Sequence, residues 1–305
     1  MDLCIIGYEK SDSNLQLLEE AKKRFDKVFF VPINSIGIGL QQDFSITYRT
    51  SDLLKFGAVF PRIPRKFCSY AYQLLSLFPP DTYTPIKPIS FLLADTRFFL
   101  LTVLRKREVP TLNLQLAKSP IAATRLVDSM ELPFIIRTPE KKTGVIVNSE
   151  SEAKNVIGAL SSLKKPVMLE ELVKDMISVY VAEPDAIVAV RKKTKEKDVI
   201  FGEGETKKFK MNYEIENLAL EAARAIDAQI ARIDISLNPS PKIVNIELNP
   251  GLITPSRVTG VNLPEKIINS IYENYKTHTE KPMLMKFFED AKSVVKDVLK
   301  TKQLL

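Results

Sequence analysis

One histidine, two cysteines and no long apolar run set the first limits on what this chain can do. His278 stands near the C-terminus, so neither a Ser-His-Asp nor a Cys-His engine can be assembled, nor a histidine-rich metal site. Cys4 and Cys68 sit in apolar or aromatic surroundings without metal-ligand spacing. They read as buried free thiols and favour a reducing compartment. The stretch Met1–Gly7 lacks the basic region and apolar core of a signal peptide. No segment approaches the roughly 18 uninterrupted apolar residues of a membrane span. A cytoplasmic protein without a membrane partner is expected. No internal repeat or low-complexity segment is present.

Basic residues exceed acidic ones, 44 to 37, for a net charge of +7, but the excess is spread along the chain. That spread suits an anionic small molecule at least as well as a nucleic acid, whose binders more often concentrate their basic residues. The 305 residues are 45% hydrophobic and 27% charged, enough for real cores and, at roughly 100–200 residues per domain, for two or three domains.

The pattern opens as a βαβ unit. Leu3–Ile6 reads as a buried strand ending at Gly7. A helix follows, capped around Ser11, Ser13 and Asn14, with Leu15, Leu18, Ala21 and Phe25 on its apolar face, and then a strand at Val28–Val31. Ala58-Val59-Phe60 forms a third buried strand that runs into Pro61-Arg62-Ile63-Pro64-Arg65. Ligands of open α/β sheets gather at the carboxyl ends of strands, so Arg62 is either an anion ligand or part of a basic surface turn. Pro79-Pro80 and Pro85–Pro88 mark a boundary near residue 88.

Beyond it the pattern predicts a helix at Ser90–Lys106, a strand at Thr111–Leu114 and a helix at Pro120–Met130 capped by Ser119. Strands at Pro133–Arg137 and Gly144–Val147, a helix at Ser151–Leu163 and a strand at Val167–Glu170 complete an α+β module. From Val173 a hairpin joins Ile177–Ala182 to Ile187–Val190. A helix runs from Asn212 to Ile226 with Ala219, Ala222, Ala223 and Ile226 on one face, and a second hairpin joins Ile230–Leu237 to Lys242–Leu248. Asn262 and Glu265 cap a helix reaching Tyr275. Leu284, Phe287, Phe288, Ala291, Val294, Val295, Val298 and Leu299 then recur at helical spacing, as a face for the body of the protein or for a partner or dimer contact.

The second hairpin carries the informative residues. With Asn238–Ser240 and Pro241 as its loop, Leu237 faces Lys242, Asp234 faces Asn245 and Arg232 faces Glu247. Asp234, Glu247 and Asn249 then emerge on one sheet face. Diagonal neighbours lie roughly 7–8 Å apart, near enough to hold a cation, and oxygen ligands suit magnesium. The alternative is a polar sheet face in which Arg232 pairs with Glu247 and Asp234 bonds Asn245. Asn249-Pro250-Gly251 follows as a sharp turn where backbone can approach a ligand.

Glu247-Leu248-Asn249-Pro250-Gly251-Leu252, followed by Thr259-Gly260-Val261-Asn262, together with the order of elements from residue 1 to about 276, resembles ATP-grasp ligases of the RimK-like type. The resemblance implies an α/β (α+β) fold: an N-terminal module at residues 1–88, a central subdomain at 89–172, a C-terminal subdomain with the magnesium site at 173–276, and an amphipathic helix at 277–305. Its chemistry is phosphorylation of a carboxylate by ATP and attack by an amine to give an amide. The partners are a small-molecule or protein-tail carboxylate and an amino acid, glutamate by family analogy. Asp234, Glu247 and Asn249 match the magnesium ligands, with manganese as a substitute ion. Glu170-Glu171-Leu172-Val173 matches the stretch that reads adenine and ribose, Arg191 the arginine on the transferring phosphoryl, and Arg97 and Arg137 two phosphate-binding lysines. Ser256 and Arg257, in the turn after the metal block, are candidates for a substrate carboxylate; an ordinary surface arginine is the other reading of Arg257.

Four features depart from the family pattern. Arginine replaces lysine at Arg97 and Arg137, which alters reach and geometry. The phosphate loop shortens to Glu140-Lys141-Lys142-Thr143-Gly144, where Lys141 and Lys142 either supply charge in place of backbone amides or form a solvated turn. Ser178 stands where an arginine is usual, and Phe201-Gly202-Glu203-Gly204-Glu205 replaces an asparagine and paired glycines. Beside the ligase, the sequence therefore leaves a second reading open, a nucleotide-binding regulator or scaffold without turnover. A basic nucleic-acid-binding protein is a third, opposed by the acidic face and the absence of a basic stripe.

Overall fold

A computed structural model describes residues 1–40, 44–139, 144–160, 165–194 and 204–280. The chain begins with β1 (Asp2–Gly7), α1 (Asp12–Lys22), β2 (Lys27–Pro32), β3 (Gly37–Leu40), β4 (Phe44–Tyr48), β5 (Ser51–Asp52), β6 (Ala58–Arg62) and α2 (Cys68–Leu75). The order β2-β1-β6, all parallel, is the expected βαβ sheet extended by its third strand. The small antiparallel sheet β3-β4-β5 was not expected, because glycine-interrupted Gly37-Ile38-Gly39-Leu40 makes no continuous apolar run. The inward face of α1 also differs from the expected one. Leu17 and Ala21 are buried beside polar Ser13 and Asn14, while Leu15 is exposed.

The expected helix over 90–106 is two helices, α3 (Pro88–Asp95) and α4 (Arg97–Lys106), broken where Thr96 takes an extended conformation (φ −117°, ψ 131°). There follow β7 (Leu114–Ala117), α5 (Pro120–Leu126), β8 (Phe134–Arg137), β9 (Val145–Val147), α6 (Glu150–Leu160) and β10 (Val167–Glu171). They form an antiparallel sheet of order β7-β10-β8-β9. Ser119 caps α5 as expected, its Oγ accepting from Ala122 N at 3.2 Å. The strand expected at 111–114 starts instead at Leu114, since Thr111 is drawn into a parallel bridge with Ile243.

The remainder comprises β11 (Met176–Ala182), β12 (Asp185–Thr194), β13 (Gly204–Phe209), α7 (Tyr213–Arg224), β14 (Ile230–Ser236), β15 (Lys242–Glu247), α8 (Ile253–Thr259) and α9 (Leu263–Glu280). The sheet order is β13-β12-β11-β14-β15, antiparallel throughout. Helix α7 buries Ala219, Ala222 and Ala223 against it, on the face predicted by the alanine spacing. The charged strand β13 went unpredicted, because an edge strand needs no apolar alternation and lysines there discourage further pairing.

The β14–β15 hairpin differs from the expected register at its tip and agrees at its base. Ser236, not Leu237, faces Lys242, and the pairing shifts between Ile235↔Ile243 and Asp234↔Asn245. Val244 is the extra residue of a bulge, which restores Asp234 opposite Asn245 and Arg232 opposite Glu247.

Two apolar cores hold the protein together. The larger draws on residues from Leu3 to Leu112 and from Val173 to Tyr275, so the N-terminal and C-terminal elements share one interior. The smaller lies within Ala117–Leu169. Cys4 and Cys68 are both buried free thiols, as expected, and burial pushes each up to about 12. Among the described residues no helix is long and apolar enough to cross a membrane. The apolar face expected over 284–299 lies outside them.

Candidate active site

The acidic face expected on the β14–β15 hairpin exists, and it is already heavily bonded. Asp234, 4% exposed, accepts at Oδ1 from Ser178 Oγ (2.6 Å) and Arg232 Nε (2.9 Å), and at Oδ2 from Arg232 Nη2 (2.9 Å) and Asn245 Nδ2 (3.4 Å). The alternative read from the sequence was therefore right about Asn245 but not about Arg232, which pairs with Asp234 and not with Glu247. The reason is the fork geometry: residues two apart on a strand share a face, and the guanidinium reaches both carboxylate oxygens. Burial lowers the affinity of Arg232 for its proton, but Asp234 more than offsets it and the guanidinium is held charged.

Glu247 is half-buried, and its Oε1 accepts from Asn249 N at 3.1 Å in the turn beyond β15. Among the described residues no three His, Cys, Asp or Glu side chains converge on one point. A cation here would draw on one or two carboxylates and the amide oxygen of Asn249, with water or phosphate oxygens completing its shell.

A cavity of about 330 Å³ opens over this face, lined by Ser13, Ser178, Tyr180, Lys192, Arg232, Asp234 and Gly251 among others. The N-terminal module builds one wall. Ser13 Oγ accepts from Leu252 N (3.0 Å), and Arg62 donates from Nε to Asn14 Oδ1 (3.1 Å) and from Nη2 to the Pro250 carbonyl (2.8 Å). Arg62 is 2% exposed and its Nη1 has no hydrogen-bond partner. Burial pushes its pKa down to about 10, with the Glu247 charge opposing. The reading of Arg62 as part of a surface turn is thus overturned: the arginine is buried and clamps the Asn249-Pro250-Gly251 turn.

Arg97, Arg137 and Glu170 meet in a second, separate group. Glu170, fully buried, pairs with Arg97 Nη1 through Oε1 and with Arg137 Nη2 at 2.7 Å through Oε2. Arg97 also donates from Nε to the Val244 carbonyl at 2.8 Å. Arg97 Nη2 and Thr138 Oγ1 are buried there without hydrogen-bond partners. Glu171 points elsewhere, accepting from Asn113 N and from Lys242 Nζ at 3.0 Å. Leu172 is half-buried and Val173 belongs to the larger core.

Arg191 is not brought to the acidic face. It opposes Ile177, one residue out of phase with Ser178, and pairs with Asp175. Strand alternation puts Lys192 on the cavity side in its stead, opposite Met176. The sequence analysis missed Lys192 for want of a register between β11 and β12. Ser256 and Arg257 also lie apart from Asp234. Ser256 Oγ accepts from Leu263 N at 3.2 Å and so serves the start of α9, and exposed Arg257 lines a different cavity with Glu19 and Glu20. Lys141 and Lys142 lie outside the described residues.

Comparison with known proteins agrees with this architecture. The model of the RimK-like ATP-grasp domain matches residues 94–271. A probable alpha-L-glutamate ligase 1 from Shewanella frigidimarina is 25% identical over 250 residues, 78% of this chain and 83% of the relative. A ribosomal protein bS6–L-glutamate ligase from Shigella boydii is 24% identical over 246 residues, 76% of this chain and 82% of the relative. Among solved structures, the ATP-grasp ligase PsnB complexed with minimal precursor superposes with a TM-score of 0.71 at 15% identity, covering 91% of this chain and 99% of PsnB. The macrocyclase MdnC bound with precursor peptide MdnA from Microcystis aeruginosa gives 0.65 at 13% identity, covering 91% of this chain and 100% of MdnC.

Fold and site together define a ligase that grips ATP, and the chain belongs to the RimK-like ATP-grasp family. It is an ATP-dependent carboxylate–amine ligase, with the α+β fold that the resemblance implied. ATP and magnesium go with the family, and PsnB has been solved with Mg and ADP. The residues present fit both. The oxygens of Glu247 and Asn249 suit a hard cation, and the unpartnered buried donors at Arg97 and Thr138 suit an anion.

Proposed function

We propose that the protein joins an amino acid, glutamate by analogy with its relatives, to a carboxylate on a peptide or protein tail. The observation that carries this reading is the cavity in which Glu247's neighbours Asp234 and Arg232, Lys192 and the Gly251 turn converge. In the ligation the acceptor carboxylate attacks the terminal phosphorus of ATP and ADP departs. The amine then attacks the acyl phosphate and releases phosphate. Such chemistry needs positioned cations more than a histidine base.

Asp234, Glu247 and Asn249 are the oxygens we assign to magnesium, which would neutralise phosphate charge when bound. Manganese shares the preference for oxygen and serves as a spectroscopic substitute. Lys192, by its side of the sheet, is assigned to the transferring phosphoryl. Arg97 and Arg137 are assigned to the ATP phosphates, with Glu170 setting their orientation. The backbone of Glu171-Leu172-Val173 is assigned to the base, as the resemblance implies. Arg62 is assigned to holding the turn of Asn249 and, through Nη1, to an anionic group of the acceptor.

The test is the thermal midpoint with and without Mg-ATP, in wild type and in Glu247→Ala. A ligand at 100 times its dissociation constant stabilises the fold by roughly 2.7 kcal/mol. A shift that requires magnesium and disappears in Glu247→Ala supports the site, and ADP release on adding glutamate and an acidic peptide supports turnover. Absence of any shift at millimolar Mg-ATP overturns the assignment.

A further inference from the structure

A groove of about 630 Å³ lies between the β11–β12 turn, the first turns of α7 and the middle of α9, and it shares no lining residue with the cavity over Asp234. Its walls are tied together. Ser270 Oγ and Asn274 Nδ2 both donate to the Glu183 carbonyl, at 2.6 and 3.0 Å, and Arg224 Nε donates to the Glu183 carboxylate at 2.8 Å. The chain carries +7 overall, yet four carboxylates, Glu183, Asp185, Glu216 and Glu273, line this groove against the single ammonium of Lys266. Asn217 and Asn269 line it as well, half-buried, and no hydrogen bond joins their side-chain amides to another described residue. A side-chain amide both donates and accepts, which matches it to a peptide unit. Half-buried Ile187, Leu220 and Val261 add apolar surface. Acidic groups, amides and apolar surface in one elongated cleft suit a peptide that carries lysine or arginine, whose long stems lie on apolar surface while their heads stay polar.

We propose that this groove is an exosite for an extended basic segment of the acceptor protein, which holds the tail while its carboxylate reacts elsewhere. Glu216, Glu273 and Asp185 meet the cationic side chains, and Asn217 and Asn269 meet the peptide backbone. A succession of shared residues leads from the groove to the chemistry. Val261 borders both the groove and the pocket beside Arg257, and Ile253 borders that pocket and the catalytic cavity. Helix α8 and the turn after it, from Ile253 to Val261, span roughly 12 Å at about 1.5 Å per residue, a distance that an extended peptide covers in about four residues. The basic segment therefore belongs at least that far along the chain from the reacting carboxylate. Because the protein as a whole repels a basic peptide, the local reversal of charge also directs such a segment to this one face.

This inference rests on the reading of the acceptor as a peptide or protein tail, and two measurements keep them apart. The first is fluorescence anisotropy of the full chain with two labelled peptides of equal length, one alternating lysine with alanine, the other serine with alanine. The lysine peptide is expected to bind about tenfold more tightly than the serine peptide, and less so as salt rises. Glu216→Lys/Glu273→Lys should remove that preference, and Asn217→Ala/Asn269→Ala should weaken binding about threefold, while the thermal shift with Mg-ATP stays as in wild type. Should the charge reversal fail to fold, Glu216→Gln/Glu273→Gln carries the same direction. No preference for the lysine peptide, or a preference that survives these variants, overturns the proposal. So does a groove variant that changes the sedimentation of the chain alone, since the occupant is then a second copy. The second measurement is ligation of an acidic acceptor peptide with and without a basic segment. The segment should lower KM about tenfold at unchanged kcat, in wild type and not in Glu216→Lys/Glu273→Lys. If both peptides are ligated with equal KM, the exosite alone is overturned. If the lysine peptide binds at the groove but no peptide is ligated, the acceptor reading fails and takes the exosite's role with it.

Discussion

Arg97 Nε donates to the carbonyl of Val244 at 2.8 Å, at the bulge residue of β15. A bulge leaves its extra residue out of the ladder, and here an arginine from the first turn of α4 takes up the freed carbonyl. Because the same guanidinium pairs with Glu170 on β10, one side chain connects the register of the acidic hairpin to the smaller core. The break at Thr96, which splits the expected single helix, puts Arg97 at the start of α4 for this purpose.

Removing Arg97 should therefore cost stability as well as nucleotide binding. Arg97→Met leaves the fully buried Glu170 carboxylate with Arg137 as its remaining charged partner, and a loss of about 3 kcal/mol is expected. Urea unfolding measures it as a lower midpoint. A change under about 0.5 kcal/mol would mean the triad carries no net stabilisation.

Ser13 tests the wall between the N-terminal module and the catalytic turn. Ser13→Ala removes the acceptor of the buried Leu252 N–H and should destabilise by about 1–3 kcal/mol. A fall in thermal midpoint together with a raised KM for the acceptor is the expected outcome. An unchanged KM would show that the turn holds its shape without this bond.

Strand alternation makes opposite predictions for two adjacent cations. Lys192→Met should lower kcat by about 10²–10³, while Arg191→Met, which breaks a pair with Asp175 on the other face, should lower it less than about threefold. The reverse order of effects would return the catalytic role to Arg191.

Alkaline pH should weaken the fold through Cys4. Burial pushes its thiol from 9.0 up to about 12, so below pH 9 the neutral form is present in both states and its contribution is intact. Between about 9 and 12 the unfolded chain loses the proton first, and stability falls as pH rises. Urea midpoints from about pH 8 to pH 10.5 should decline more steeply in wild type than in Cys4→Ala. Equal slopes would sink this account.

Much of the fold was legible because periodicity reports burial. The parallel strands β1 and β6 read as apolar runs, α7 as an alanine face, and α5 and the start of α9 as capped helices, where Ser119 and Asn262 accept as predicted. The polar elements left no such trace. Strand β13 and the sheet β3-β4-β5 are held by backbone pairing and partly exposed, and residue type has little hold on segments of that kind.

By itself the sequence determined the site's ingredients: oxygen donors in a hairpin, a glycine turn beyond it, arginines in place of lysines, and a single histidine that excludes other chemistries. Local order along the chain suffices for that, since it dictates which residues share a strand face. Which cation meets which carboxylate was decided by the tertiary structure alone. The bulge at Val244 set the register of the acidic hairpin. The pairing of β11 with β12 turned Lys192 inward and Arg191 outward, and the packing of α1 made Ser13 and Asn14 bonding partners for residues more than 45 positions away. Charges choose partners by distance in space, and the distances among Ser178, Arg232, Asp234 and Glu247 exist only once three strands from two hairpins have formed one sheet.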